Sequence, residues 1–210
     1  MNHDDLQAMC LEFLSKSAPA DAAHDISHVR RVVKNTLYLT DIENVDKNIT
    51  LPAALLHDCV AVAKDSPLRN QGSRLAADAA IVFLRQIAYP ETLLPSIHHA
   101  IEAHSYSANV PVRSPEAAVV QDADRLDSLG AIGIARCLLV GGRLNRPLWD
   151  PDDPFCDHRE PADSQYTLDH FYAKLFKLPA TMQTQAGREE AEHRAGLMRD
   201  YLENLRSELC

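Results

Sequence analysis

Apolar residues recur three and four positions apart almost throughout this chain, whereas apolar residues alternating every second position are hard to find. That spacing lines one face of an α-helix and suits no strand, so the expected fold class is all-α. Leu6, Met9, Cys10 and Phe13 share a stripe on a first helix over about Asp5 to Ser15, closed by Pro19. On a second, from about Asp25 to Leu39, Val29, Val32, Val33 and Leu37 face inward. Asn48 or Thr50 is placed to cap a third helix that carries Leu51, Ala54, Leu55 and Val62, with Pro52 near its first turn. Gly72-Ser73 opens a fourth, stopped by Tyr89-Pro90, and a fifth runs through Leu93, Leu94, Ile97 and Ile101. Ser114-Pro115-Glu116 starts a sixth, and Ala131 to Val140 form a seventh that the Gly141-Gly142 pair is expected to end. Pro147, Pro151, Pro154 and Pro161 break the pattern, so a long surface loop is expected over 141–165. Two last helices should cover 166–208, one from Tyr166 to Leu178 and one from about Ala186 to Glu208.

At 210 residues the chain is long enough for one domain, expected over 1–210 with its core at about 24–140 and the last helices packed on it. Its 30 acids against 21 Lys and Arg repel a phosphate backbone, which argues against long nucleic acids. A local cluster of Arg and Lys can still hold one phosphorylated small molecule. The five cysteines are odd in number, widely spaced and never in a C-x-x-C pair, so neither a disulfide framework nor a thiolate zinc site is signalled. A reducing cytoplasm is the expected setting. The acidic start, Met1 to Asp5, leads into no apolar run, and no stretch is long and apolar enough to span a membrane.

On the third helix His57 and Asp58 interrupt an apolar surface made by Ala54, Leu55, Ala61 and Val62. A carboxylate among core residues is costly unless it is paired, hydrogen-bonded or bound to a cation. Either a salt-bridged Asp beside a satisfied core His or a metal site meets that requirement. Asp122, Asp124 and Asp127 stand in the same way among Ala123, Leu126 and Leu129, where one acid pairing with Arg125 and two facing solvent is the alternative to ligation. His28 shares a helix face with Val32.

The ordered set His28, His57-Asp58 and Asp124 resembles the HD superfamily of metal-dependent phosphohydrolases, whose pattern is H…HD…D on separate helices. The flanks are similar to one bacterial branch of it: His24-Asp25-Ile26-Ser27-His28, Leu55-Leu56-His57-Asp58, Gln121-Asp122-Ala123-Asp124-Arg125-Leu126-Asp127, Gly130 to Arg136 and His170 to Leu175. The resemblance implies a compact helical bundle in which His28, His57, Asp58 and Asp124 bind one divalent ion: manganese, magnesium, iron, cobalt or nickel. Asp124 is preferred to Asp122 because it directly precedes the Arg-Leu pair. Asp58 and His57 are the implied catalytic residues, with Asp58 orienting the attacking water. By the same resemblance His99 and His104 sit near the phosphate, although helical spacing puts His104 and His98 nearer the core. Lys64, Arg69, Arg74 and Arg125 are candidate phosphate contacts, with Arg136, Lys174 and Trp149 as further candidates. No acidic pair follows the HD in Cys59-Val60-Ala61-Val62-Ala63, which disfavours an alarmone hydrolase. The expected activity is hydrolysis of a small phosphate ester or anhydride, a nucleotide first, including a triphosphate cleaved to monophosphate and pyrophosphate. A noncatalytic nucleotide or metal sensor is the alternative, and a homo-oligomer is allowed.

Overall fold

A computed structural model describes residues 2–17, 26–62, 66, 68–105 and 108–209, without the side chains of Ser17 and Arg69. Pro19, Asp25 and Lys64 of the sequence reading lie outside the described residues. Among the described residues every regular element is helical: α1 (His3–Ser17), α2 (Ile26–Glu43), α3 (Lys47–Leu56), α4 (Gly72–Gln86), α5 (Leu94–His104), α6 (Pro115–Leu126), α7 (Gly130–Arg143), α8 (Asp169–Ala173) and α9 (Gln185–Leu209). The chain divides into two compact units, one up to Asp124 and one from Arg125 onward.

The first unit is built around α3. Every residue from Ile49 to Leu56 is buried, and α1, α2 and α5 pack against this helix while α4 pairs with α5. A helix that is apolar all round is stable only inside a core. Its one buried hydroxyl, that of Thr50, is satisfied by Thr40 at 2.8 Å. Buried alanines, Ala76, Ala77 and Ala80 on α4 and Ala100 and Ala103 on α5, keep these two helices slim enough for close approach.

Three details of α3 differ from the expectation. Its cap is Asp46, whose carboxylate accepts the Asn48 N–H at 2.8 Å, so neither Asn48 nor Thr50 plays that part. The helix ends at Leu56, which leaves Val62 beyond it. Pro52 lies inside the helix, where it has no N–H for the carbonyl of Asn48 four residues back. The Tyr89 hydroxyl donates to that carbonyl instead, at 2.8 Å. By contrast α6 begins as read, with the Ser114 hydroxyl accepting the Ala117 N–H at 3.2 Å.

In the second unit α7 packs against α9. The Gly141-Gly142 pair does not end α7, which continues to Arg143. Gly141 is there for close approach: a Cβ at this position would lie 2.2 Å from Oγ1 of Thr167. The expected helix from Tyr166 to Leu178 is instead the short α8 followed by two 3-10 turns, because the backbone leaves helical geometry at Lys174. Residues 144–168 form no helix, so the expected loop over 141–165 is present but shifted three residues along at each end, and side chains brace it. Asp169, fully buried, accepts Arg159 Nη2 at 2.9 Å and the Ala162 N–H at 2.7 Å. Arg206 stacks 4.2 Å from the ring centre of buried Phe155 and pairs with Asp157 at 2.6 and 3.0 Å.

If Tyr89 compensates for the proline, Tyr89→Phe should lower the unfolding free energy by about 1 kcal/mol, since it removes a part-buried hydrogen bond to that carbonyl. The same substitution in a Pro52→Ala background should cost clearly less, because the alanine restores the helical donor. Urea denaturation of the four proteins of this cycle checks the coupling, and additive effects would refute it.

Candidate metal centre

Five polar side chains of the first unit converge where α2, α3, α5 and α6 meet their ends or faces. Nε2 of His28, on α2, lies 3.2 Å from Nε2 of His57, the residue that follows α3. Asp58 comes next in the chain and divides its carboxylate. One oxygen is 3.8 Å from His28 Nε2 and 3.6 Å from His57 Nε2, and the other is 3.6 Å from His104 Nε2. Asp124 of α6 places Oδ1 3.4 Å from His28 Nε2 and 3.8 Å from His57 Nε2. The three imidazoles are buried, while the carboxylates of Asp58 and Asp124 keep about a quarter of their surface open, at 25% and 28%.

The same local device aims two of the rings. His57 stands just after α3 and His104 is the last residue of α5, where backbone carbonyls have no helical partner. His57 Nδ1–H donates to the Ala54 carbonyl at 2.8 Å and His104 Nδ1–H to the Ile101 carbonyl at 2.6 Å. A carbonyl only accepts, so Nδ1 carries the proton in both rings; the Nε2 lone pair of neutral His57 then turns to the cluster, while His104 Nε2 faces the Asp58 carboxylate. Burial holds the His57 imidazole below its ordinary pKa, against the pull of the Asp58 charge, and so keeps that lone pair available. For His104, burial acts in the same direction, but the hydrogen bond and charge of Asp58 outweigh it and raise the pKa. Burial alone would raise the Asp124 carboxyl; the hydrogen bond from His28 and the nearby imidazoles more than offset it and hold the group well below the carboxylate range.

Two imidazole nitrogens 3.2 Å apart and buried need a proton or a cation between them. His28, His57 and Asp58 each offer a ligand atom, all within 4.8 Å of one another. The closer spacings around them approach the edge of a coordination shell with bonds of about 2.1 Å, roughly 3 Å. Mixed imidazole and carboxylate donors suit first-row divalent ions. Asp122 is fully buried two positions before Asp124, and residues two apart on a helix do not share a face.

The remaining candidates lie elsewhere. His99 Nε2 accepts the Arg113 N–H at 3.0 Å, and its pKa is lowered by burial and by the Arg113 charge. Helical spacing placed His104 correctly in the interior, but His98 is partly exposed and bonds Asp78 at 2.9 Å. Arg74 is exposed on α4, and Arg125 donates to the Thr181 carbonyl at 2.6 Å in the second unit. Asp127, also of that unit, pairs with Arg136. Of Arg69 only the backbone is described, in a 3-10 turn. Two bracing residues escaped the sequence reading: Asn35 of α2 donates to the Ala123 carbonyl at 3.1 Å, and Gln121 of α6 donates to the Ala103 carbonyl at 2.7 Å. Nothing in the sequence marks these amides except a polar residue on an apolar face.

Residues 25–129 match the HD domain family. The chain is 31% identical to the uncharacterized protein YpgQ of Bacillus subtilis (strain 168) over 193 residues, which covers 90% of this chain and 85% of that one. A solved HD-superfamily hydrolase of Bacillus thuringiensis is 34% identical with a TM-score of 0.74, over 98% of this chain and 95% of the other. The crystal structure of B. subtilis YpgQ in complex with ADP is 29% identical with a TM-score of 0.71, over 98% and 94% of the two chains. The chain therefore belongs to the HD domain superfamily.

Asn35→Ala removes a brace without touching a donor of the cluster. It should destabilise the fold by about 1–2 kcal/mol and weaken divalent-ion binding roughly tenfold. Calorimetric titration with manganese checks this, and unchanged affinity in a destabilised variant would limit Asn35 to a packing role.

Proposed function

We propose that this protein is a metal-dependent phosphohydrolase that cleaves a small phosphate ester or anhydride, with nucleotides the leading substrate class. The observation that carries the reading is the convergence of buried His28 and His57 with the partly open carboxylates of Asp58 and Asp124, in a chain whose relatives include an HD-superfamily hydrolase. The ADP complex of YpgQ supports nucleotides as the class. Cleavage of a nucleoside triphosphate to monophosphate and pyrophosphate is the specific form we favour.

In this reading His28, His57, Asp58 and Asp124 hold one divalent ion, of manganese, magnesium, iron, cobalt or nickel. The ion supplies Lewis acidity, lowering the pKa of a water and polarising the phosphoryl group. The Nδ1 hydrogen bonds of His57 and His104 fix which ring nitrogens face the site. Asp58 lies against three imidazoles and keeps part of its carboxylate open, which suits it to orient the attacking water. His104 faces that same carboxylate and is the nearest imidazole outside the four-residue ligand set. The cysteines Cys10, Cys59, Cys137 and Cys156 are free thiols, in keeping with a cytoplasmic setting. No helix among the described residues is long and apolar enough to cross a membrane.

The test is release of phosphate and pyrophosphate from a nucleotide panel by chelator-treated protein, with and without added manganese. Metal should restore turnover, and His57→Ala or Asp58→Ala should reduce it by at least about a hundredfold with helicity unchanged. Asp124→Ala should lower bound metal more than Asp122→Ala, and the reverse ranking would identify Asp122 as the last ligand. Stoichiometric metal without cleavage of any nucleotide or simple phosphoester would overturn the hydrolase reading in favour of a noncatalytic sensor.

A further inference from the structure

The second unit contains a cavity of about 200 Å³ whose lining includes Arg136, Arg146, His170 and Lys174, with Cys137 and Thr167 beside them. Among the described residues no Asp or Glu lines it, although acids outnumber Lys and Arg by 30 to 21 in the chain. Cations gathered around one cavity repel each other unless something compensates them. Arg136 is paired with Asp127, and His170 Nδ1 lies 2.9 Å from Oδ2 of Asp163. Arg146 Nη1 donates to the backbone carbonyl of the same Asp163 at 2.6 Å, a bond that orients the guanidinium and leaves its charge in place. These contacts hold Arg136, His170 and Arg146 at fixed positions around the cavity, as a site prepared for an anion requires.

We propose that this cavity is a binding site for a phosphate group. Planar guanidinium groups match phosphate oxygens, and an ammonium adds a point charge. The volume falls below the roughly 300–1,000 Å³ of sites that enclose drug-sized molecules. It therefore takes one or two phosphoryl groups and not a whole nucleotide. The guest is either free phosphate or pyrophosphate, or the phosphate end of a larger nucleotide. The inference gives Arg136 and Lys174, named above among the further phosphate candidates, a place beside Arg146 and His170; it goes beyond the hydrolase reading because it concerns binding and involves none of the proposed ion donors.

Calorimetric titration of the full chain in chelator at low salt, with phosphate, pyrophosphate, ADP and adenosine in turn, tests it without any metal-dependent step. Pyrophosphate should bind, and Lys174→Gln and Arg146→Gln should each weaken it by about tenfold or more. Arg85→Gln, which removes the same charge from an exposed pair with Glu91, should leave the affinity within about twofold. Lys174 is exposed, so its variant folds and decides the matter even if Arg146→Gln does not. Tighter binding of ADP than of pyrophosphate identifies the nucleotide as the source of the phosphate, and the opposite order identifies the free anion. The proposal is overturned if pyrophosphate does not bind, if Lys174→Gln binds it as the parent does, or if adenosine binds as well as ADP. Absence of turnover in the nucleotide panel would leave this result untouched.

Discussion

The burial of α3 on all sides governs the first unit. Its residues from Ile49 to Leu56 offer water no face, so α1, α2 and α5 must enclose it. Enclosure fixes where the helix ends, and at that end the sequence changes from Leu55-Leu56 to His57-Asp58. The apolar core thus delivers two polar groups to one point with the precision of its own packing. Pro52 is tolerated because the carbonyl it leaves without a helical donor, that of Asn48 on the first turn, is met by the Tyr89 hydroxyl.

A cluster of three buried imidazoles and two carboxylates opposes stability. Burial disfavours the charged form of each group, while the acids favour protonated imidazoles, and the two influences resolve differently at different rings. His57 is driven towards neutrality and His104 away from it. That division follows from partners: both rings are buried and 3.6 Å from an Asp58 oxygen, but His104 shares a hydrogen bond with that carboxylate, whereas the imidazoles of His104 and His28 also act against a charge on His57. A core built only for stability would fill this space with aliphatic side chains, at no electrostatic cost. Retaining five polar groups with two rings aimed by helix-end carbonyls is the arrangement expected where a cation completes the set.

Helical class and most helix positions were legible because apolar spacing of three and four is a direct consequence of the helix itself. Periodicity also made the change from an apolar run to His57 and Asp58 legible, although the structure puts both just beyond α3 instead of on its stripe, and it placed His104 in the interior. What escaped depends on partners distant in sequence. Gly141 reads as a stop when only its neighbours are considered; its role comes from Thr167, on a separate segment. Periodicity assigned His98 to the interior, but Asp78 of α4 bonds it at the surface. The cap of α3 was misread because Asp46, Asn48 and Thr50 are all competent and only the backbone entering the helix selects among them. Asn35 and Gln121 were invisible as braces because a single amide carries no pattern.

Composition has a similar limit. A formal charge of −9 describes the field far from the molecule, where it argues against long polyanions. Local chemistry is set by which acids are already engaged. In the second unit Asp169 is committed to Arg159 and Ala162, Asp157 to Arg206, Asp127 to Arg136 and Asp163 to His170. Four acids are thus spent on internal structure, two of them, Asp127 and Asp163, on residues that line the cavity, and among the described residues no carboxylate lines it. An excess of acids over the whole chain is therefore compatible with a cationic surface within it, because Arg and Lys are concentrated where the acids serve as supports instead of as lining.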